Sequence, residues 1–279
     1  MINRTLVSGG GGLTGAYSAG VHATLCRELG PSYFGEIFSC SVGTLNSTFS
    51  VSGQPEIIEH VWRNRVHGNQ LVNFTNPLRK RQILDLDYLL VDLFQTGESK
   101  LNVAAVMSSR TKITYSLTNL SSGKPSYHNP SLDNIFDLIK ASCSIPFVTS
   151  PVKINGSNYG DGSLTNPLPL ERALSEDSDE IVVVYNKPRD FYESGSFTRL
   201  GGLMGAFSTR PISDLLKSFE QRIRETEELL KSDSRIKIIR PEKPLPLRSI
   251  LDTDKERLNQ TFDIGVKDAQ NYLRKENLA

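Results

Sequence analysis

Tyr33-Phe34-Gly35-Glu36-Ile37-Phe38-Ser39-Cys40-Ser41-Val42-Gly43 is the stretch on which the fold turns. The run from Tyr33 to Phe38 is apolar enough for a buried strand, and Val42 to Ser50 is compatible with a helix. A strand that turns sharply into a helix at a serine is a nucleophile elbow. The residues beside the serine must be small, and its hydroxyl projects from the carboxyl edge of the sheet next to a helix N-terminus. The usual spacing is Gly-x-Ser-x-Gly; here Ser39 stands in the first glycine's place and Gly43 keeps the second. Five residues alone also fit a plain small-residue turn. The choice between turn and nucleophile rests on what surrounds them.

Upstream, Arg4 to Ser8 reads as a first strand, followed by Gly9-Gly10-Gly11-Gly12-Leu13-Thr14-Gly15. A helix over Ala16 to Leu29 follows, stopped by Gly30-Pro31. Successive glycines leave backbone N–H groups bare near a helix N-terminus, which makes an anion site. Three chemistries use such a loop. A phosphate loop needs a Gly-Lys-Ser/Thr ending, and Thr14-Gly15-Ala16 lacks the lysine. A dinucleotide site needs Gly-x-Gly-x-x-Gly, which Gly10, Gly12 and Gly15 satisfy, and an acid closing the second strand. Glu36 is at about the right distance but lies near that strand's start. The third use is an oxyanion hole, in which amides of Gly10, Gly11, Gly12 and Val42 would hold a tetrahedral oxygen. One such donor is worth roughly 3–4 kcal/mol of barrier. That use requires a nucleophile at the next strand end, where Ser41 stands.

The chain has 279 residues, 38% hydrophobic and 23% charged, enough for one large core, and no Pro/Gly/Ser-rich linker divides it. A net charge of +1 provides no global attraction to nucleic acid. Cys26, Cys40 and Cys143 show neither metal-ligand spacing nor a disulfide framework. With no signal peptide or spanning apolar run in view, the expected location is cytoplasmic, with peripheral contact at the inner membrane face if the substrate is a lipid.

Further along, helices are expected over Gln54–Arg65, Asn102–Ser109, Leu132–Ser142, Ile212–Lys231 and Asp254–Lys275. Strands are expected over Lys112–Asn119, Glu180–Tyr185 and Arg235–Ile239. Ile83 to Leu90, an apolar run dotted with acids, reads as an excursion packed on the sheet edge, and Arg79-Lys80-Arg81 before it as a solvated basic surface or a headgroup contact. Phe197 to Arg210 reads as a glycine-rich apolar loop, suited to a lid, an interfacial contact or ordinary packing. Strands alternating with helices predict an α/β fold around a mainly parallel sheet.

A nucleophilic serine needs a base. The histidines are His22, His60, His67 and His128, so none follows Asp161, and a hydrolase triad of the usual order with that acid is excluded. His22, inside the first helix, reads as structural. Asp161, in Tyr159-Gly160-Asp161-Gly162-Ser163, is the best-placed carboxylate to take the Ser41 proton directly, although Asp-Gly is also a common solvated turn.

Taken in order, the glycine loop, the Ser-x-Ser-x-Gly elbow, Ala141-Ser142-Cys143-Ser144-Ile145-Pro146 and the Gly-Asp-Gly turn resemble the patatin-like phospholipase family. Gly10 to Gly15 resemble its oxyanion motif, Ser39 to Gly43 its nucleophile motif and Asp161-Gly162 its dyad acid. Ile239-Arg240-Pro241 and Phe262 to Gly265 resemble the compact bacterial branch. Thr14 departs from a usual basic residue, Ser39 from glycine, and Ser163 from glycine or alanine. The resemblance implies a three-layer α/β/α fold in one domain over 1–279, with core motifs in 4–175 and a helix-and-strand completion over 176–279. It also implies a Ser-Asp dyad that cleaves acyl esters of phospholipid, lysophospholipid or related lipids, without cofactor, metal or calcium. A catalytically weak relative that binds lipid or a protein partner on the same scaffold is the alternative.

Overall fold

Strand β1 (Arg4–Ser8) occupies the centre of the sheet because its side chains are apolar or small on both faces. Leu6 enters one hydrophobic cluster and the adjacent Val7 enters another, on the opposite face. This is the alternation of a fully covered parallel strand. The computed structural model describes residues 3–79, 81–189 and 209–278. The elements that follow are α1 (Gly15–Leu29), β2 (Glu36–Cys40), α2 (Val42–Val51), α3 (Pro55–Asn64), α4 (Val103–Ser108), β3 (Lys112–Asn119) and β4 (Lys124–His128). After them come α5 (Ile135–Ser142), β5 (Val152–Ile154), β6 (Ser157–Asp161), α6 (Leu170–Leu174) and β7 (Glu180–Val184). The chain closes with α7 (Arg210–Lys217), α8 (Phe219–Leu229), β8 (Ile236–Ile239) and α9 (Lys255–Lys275).

Strands β3, β2, β1, β7 and β8 are parallel neighbours in that order, and β4, β6 and β5 add antiparallel pairs beyond β3. One core cluster contains residues of α1, α2, α3, α5 and α9; the other contains residues of α6 and Leu230, just after α8. A mainly parallel sheet between two helical layers is the α/β architecture expected from the alternation.

One register detail positions the site. Residues Lys112 to Ser116 of β3 pair with β2, and Leu117 to Asn119 pair with β6. Strand β4 takes the opposite edge over Tyr115 to Asn119. So β6 lies along the same edge of β3 as β2, just beyond the end of β2. Asp161, opposite Leu117, is thereby delivered to the point where β2 stops. The hairpin that turns the chain into β6 closes through Asn155-Gly156, whose φ values of 49° and 82° are those of a two-residue primed turn.

Two expectations are corrected. The long helix expected over Ile212–Lys231 is two helices, α7 and α8, separated at Ser218. The Ser218 hydroxyl donates to the Asp214 carbonyl at 2.6 Å, and the Arg222 guanidinium donates to the Leu215 carbonyl, so side chains satisfy carbonyls where the helix bends. The Ile83–Leu90 excursion does not simply edge the sheet. Leu84, Leu86 and Leu89 turn inward to share a cavity wall with Phe49, Val61 and Trp62 of α2 and α3. Apart from Thr209 and Arg210, the apolar loop expected at 197–210 lies outside the described residues. Among the described residues, no helix is long and apolar enough to cross a membrane.

Helix α9 packs across α1 with backbone against backbone. A Cβ on Gly265 would fall 2.0 Å from the Tyr17 carbonyl oxygen, and one on Gly20 would fall 2.2 Å from that of Phe262. Gly265→Val is therefore expected to force the helices apart and lower stability by about 2–4 kcal/mol, read as the midpoint of urea unfolding.

Candidate active site

The site begins with a strained turn. Ser41 directly follows β2 and caps α2 at φ 52° and ψ −135°, which an L-residue holds only under constraint. The constraint is a buried hydroxyl. Ser142, at the end of α5, accepts the Ser41 N–H at 2.9 Å and donates to the Ser116 carbonyl at 3.0 Å; the Thr44 hydroxyl lies 3.0 Å away and donates to it. That uses one donor and two acceptor positions, all that a serine hydroxyl has. Gly43 fits because a Cβ there would meet the Ser8 and Gly9 carbonyl oxygens at 2.6 and 2.7 Å. Ser39 lies within β2, wholly buried, in register with Ser8 and Tyr115. The backbone bends two residues later, so its side chain does not obstruct the turn.

The Ser41 hydroxyl donates to Asp161 Oδ2 at 2.6 Å. The other carboxylate oxygen accepts the Ser163 N–H at 2.8 Å, the Asp161 N–H donates to the Ser144 carbonyl at 2.7 Å, and its own carbonyl accepts from Thr118 Oγ1 at 2.7 Å. Asp161 is only 3% exposed, so it is not a solvated turn residue. Burial pushes its carboxyl up to about 6, against the pull of the bonds from Ser41 and Ser163. Gly162 keeps the strand end tight, since a Cβ there would fall 2.0 Å from the Ser116 carbonyl oxygen.

The glycine loop leans against this pair. Gly11 and Gly12 hold φ values of 147° and 57°. The Thr14 hydroxyl donates to the Gly11 carbonyl at 2.8 Å and closes the loop on itself. Gly15 lies against Val42, where a Cβ would meet Cγ2 at 2.4 Å, so loop and elbow are pressed together. Gly10 enters differently from the expectation. Its N–H donates to the Pro167 carbonyl at 3.3 Å, and its place is set by closeness, because a Cβ there would lie 2.9 Å from Ser41 Cβ. Among the described residues, the amides of Gly11, Gly12 and Val42 donate to no protein acceptor.

The competing dinucleotide reading loses its acid. Glu36 opens β2, at the opposite end of the strand from the glycine loop, and pairs with Lys112 Nζ at 2.7 Å. His22 is structural. Its Nε2 lies 2.9 Å from Ser8 Oγ, and burial pushes its pKa down to about 3, so it is neutral. The thiol of Cys40, beside the nucleophile position, is pushed up to about 12 by burial and by the Asp161 charge.

Two cavities meet at Ser41. A narrow one, about 60 Å³, is apolar and runs between α2, α3 and the Leu84–Leu89 segment. Its one buried amide, Asn46, is satisfied elsewhere: Nδ2 donates to the Gly15 carbonyl and Ser18 Oγ, and Oδ1 accepts from Trp62 Nε1. A wide cavity, about 600 Å³, is lined by the glycine loop, Asp161, Lys187 and Arg248. Its far wall comes from Pro244 to Ile250, tied down by the Leu13 N–H to the Ile250 carbonyl at 2.8 Å and by Asp252 with Arg257 at 2.8 Å.

A sequence profile described as Patatin-like phospholipase matches residues 6–174, well over half of the chain. The chain belongs to the patatin-like phospholipase family. Membership places it, in general terms, among lipid acyl hydrolases. Among curated proteins it is 26% identical over 250 residues to "Uncharacterized protein YjjU" of Escherichia coli, covering 88% of this chain and 70% of that one. Among solved structures it resembles VipD from Legionella pneumophila with a TM-score of 0.51 at 11% identity, covering 99% of this chain and 67% of VipD, a likeness of fold. The family profile ends before the Pro244–Ile250 wall.

Sequence reasoning named Ser41, Asp161 and the loop, and the structure brings them together. It assigned no role to Ser142, whose signal was present in Ala141-Ser142-Cys143-Ser144 but carries no geometry by itself. The raised Asp161 carboxyl has a stability consequence. Folded, it binds its proton up to about pH 6; unfolded, it releases it near the ordinary carboxylate value of about 3.9. The native state therefore holds the extra proton between those values, and the associated stability is present at low pH and lost as pH rises through about 6. Asp161→Asn removes the buried charge but weakens two hydrogen bonds. It is expected to raise stability at neutral pH by about 1–2 kcal/mol and to change it little in acid, measured by thermal unfolding across pH.

Proposed function

We propose that the chain hydrolyses acyl esters of phospholipid, lysophospholipid or a related lipid through a Ser41-Asp161 dyad. The observation that carries this is the buried 2.6 Å hydrogen bond between the two side chains, with Ser41 lining an apolar cavity. The acyl chain lies in the narrow cavity and the rest of the lipid in the wide one. Ser41 Oγ attacks the ester carbonyl carbon while its proton passes to Asp161 Oδ2. The carbonyl oxygen becomes an oxyanion facing the open amides of Gly11, Gly12 and Val42, with the N-terminal end of α2 adding its dipole. Collapse breaks the bond to the alkoxy oxygen, and Asp161 returns the proton to the departing alcohol. Water then attacks the acyl-enzyme, giving its proton to Asp161. A second collapse releases the fatty acid and restores the hydroxyl of Ser41.

A carboxylate as base suits this environment. In water it would be too weak, but burial lifts it toward neutral pH, where it is still ionised and a better proton acceptor. The departures at Thr14 and Ser39 are compatible with turnover, since one closes the loop by its hydroxyl and the other lies clear of the bend.

A fluorophosphonate probe is expected to label the wild type and not Ser41→Ala. A folded wild type that resists labelling defeats the proposal. The pH profile offers a second check. Because Asp161 must be ionised to act, kcat/KM toward a soluble p-nitrophenyl ester is expected to rise with pH through an apparent pKa of about 6 and to fall off below it.

A further inference from the structure

Two neighbouring loops leave large apolar side chains in solvent. Phe74 is 67% exposed, Leu78 88% and Phe147 39%. The loops are physically joined: Gln82 Nε2 donates to Ser150 Oγ at 2.9 Å, and the Leu84 N–H donates to the Val148 carbonyl at 3.4 Å. Within the first loop, Asn76 Nδ2 donates to the Gln82 carbonyl at 2.9 Å, and the Asn73 N–H donates to that of Ile83 at 2.8 Å. The exposed residues are therefore carried on a built platform. Arg79 and Arg81 lie on the same loop, both exposed.

The inner residues of these loops face the other way. Leu71, Leu84 and Ile145 line the narrow apolar cavity that reaches Ser41. Ile145 also lines the wide one. One pair of loops thus has an apolar outer rim, a cationic flank and an inner surface continuous with the cavity at the serine. From this we infer that the Phe74, Leu78 and Phe147 rim, with Arg79 and Arg81, docks the protein on the surface of an anionic lipid bilayer.

The charge favours this occupant over a second copy of the chain. A two-fold dimer through this face would set the patch against itself and bring Arg79 and Arg81 close to their own counterparts. An anionic bilayer instead offers an apolar layer for the rings and opposite charge for the guanidinium groups, and each basic side chain near such a surface adds about fivefold in affinity. Docking so would set the loops that wall the narrow cavity directly against the source of acyl chains. The inference extends the proposed hydrolysis, yet binding can be read without turnover.

The test is co-sedimentation of Ser41→Ala, which cannot turn over lipid, with two vesicle types. One is phosphatidylcholine alone; the other is equal parts phosphatidylglycerol and phosphatidylcholine. The protein is expected to bind the mixed vesicles, and less so in high salt. The double change Phe74→Ser with Leu78→Ser is expected to weaken partitioning about tenfold. Arg79→Gln with Arg81→Gln is expected to remove most of the preference for anionic lipid. Leu132, 67% exposed outside these loops, is the control, and Leu132→Ser is expected to leave binding unchanged. No binding to mixed vesicles, an equal loss with Leu132→Ser, or a dimer on gel filtration that the Phe74/Leu78 change dissolves would each overturn the inference. Vesicle binding with no Ser41-dependent turnover in the wild type would leave the docking surface standing and remove the hydrolase.

Discussion

Strand β3 is longer than strand β2, eight residues against five, and the antiparallel pairing of its free end with β6 governs the rest of the site. Had β6 paired elsewhere, the carboxylate of Asp161 would have stood in solvent or in another part of the core. Paired as it is, the strand brings a charge to the one place where a hydroxyl is held ready by the bend after Cys40. The cost of burying that charge is offset by two donors, the Ser41 hydroxyl and the Ser163 amide. The balance is incomplete, and the residual penalty is what lifts the carboxyl into the range of a useful base.

Around this pair, polar and apolar surfaces are kept apart. Asn46 and Ser142 are buried polar groups close to Ser41, and each is hydrogen-bonded away from the narrow cavity. Left unpaired, either would have drawn water into a space now lined by leucine, phenylalanine and tryptophan. The bare amides of Gly11, Gly12 and Val42 are arranged differently. They are open donors in a concave setting, which suits a group that becomes negative only during a reaction.

Much of this was legible in the sequence. Glycine and small residues at fixed spacing exposed the elbow and the loop, because backbone crowding permits little else there. The strongly β-branched run at Glu180 announced a buried strand. What escaped was long-range. The identity of the strand beside the end of β2 depends on pairing across forty residues, and only the Asn155-Gly156 turn hints at the hairpin that achieves it. Whether the Gly10 amide is open or taken depends on the Pro167 carbonyl, far away in the chain. The break at Ser218 was hidden because serine and arginine are ordinary helix residues until their side chains capture carbonyls. The inward turn of Leu84 and Leu86 follows from the helices they meet, which no local pattern specifies.

The wide cavity draws its floor and its far wall from separate parts of the chain. Gly10 to Gly12, Ser41 and Asp161 fall within the stretch common to the family, and Pro244 to Ile250 fall beyond it. Selection can therefore redraw the wall, and with it the shape of the cavity, without disturbing the proposed Ser41-Asp161 dyad. On the proposed chemistry, divergence among relatives would then show itself as a change of diet under a constant reaction.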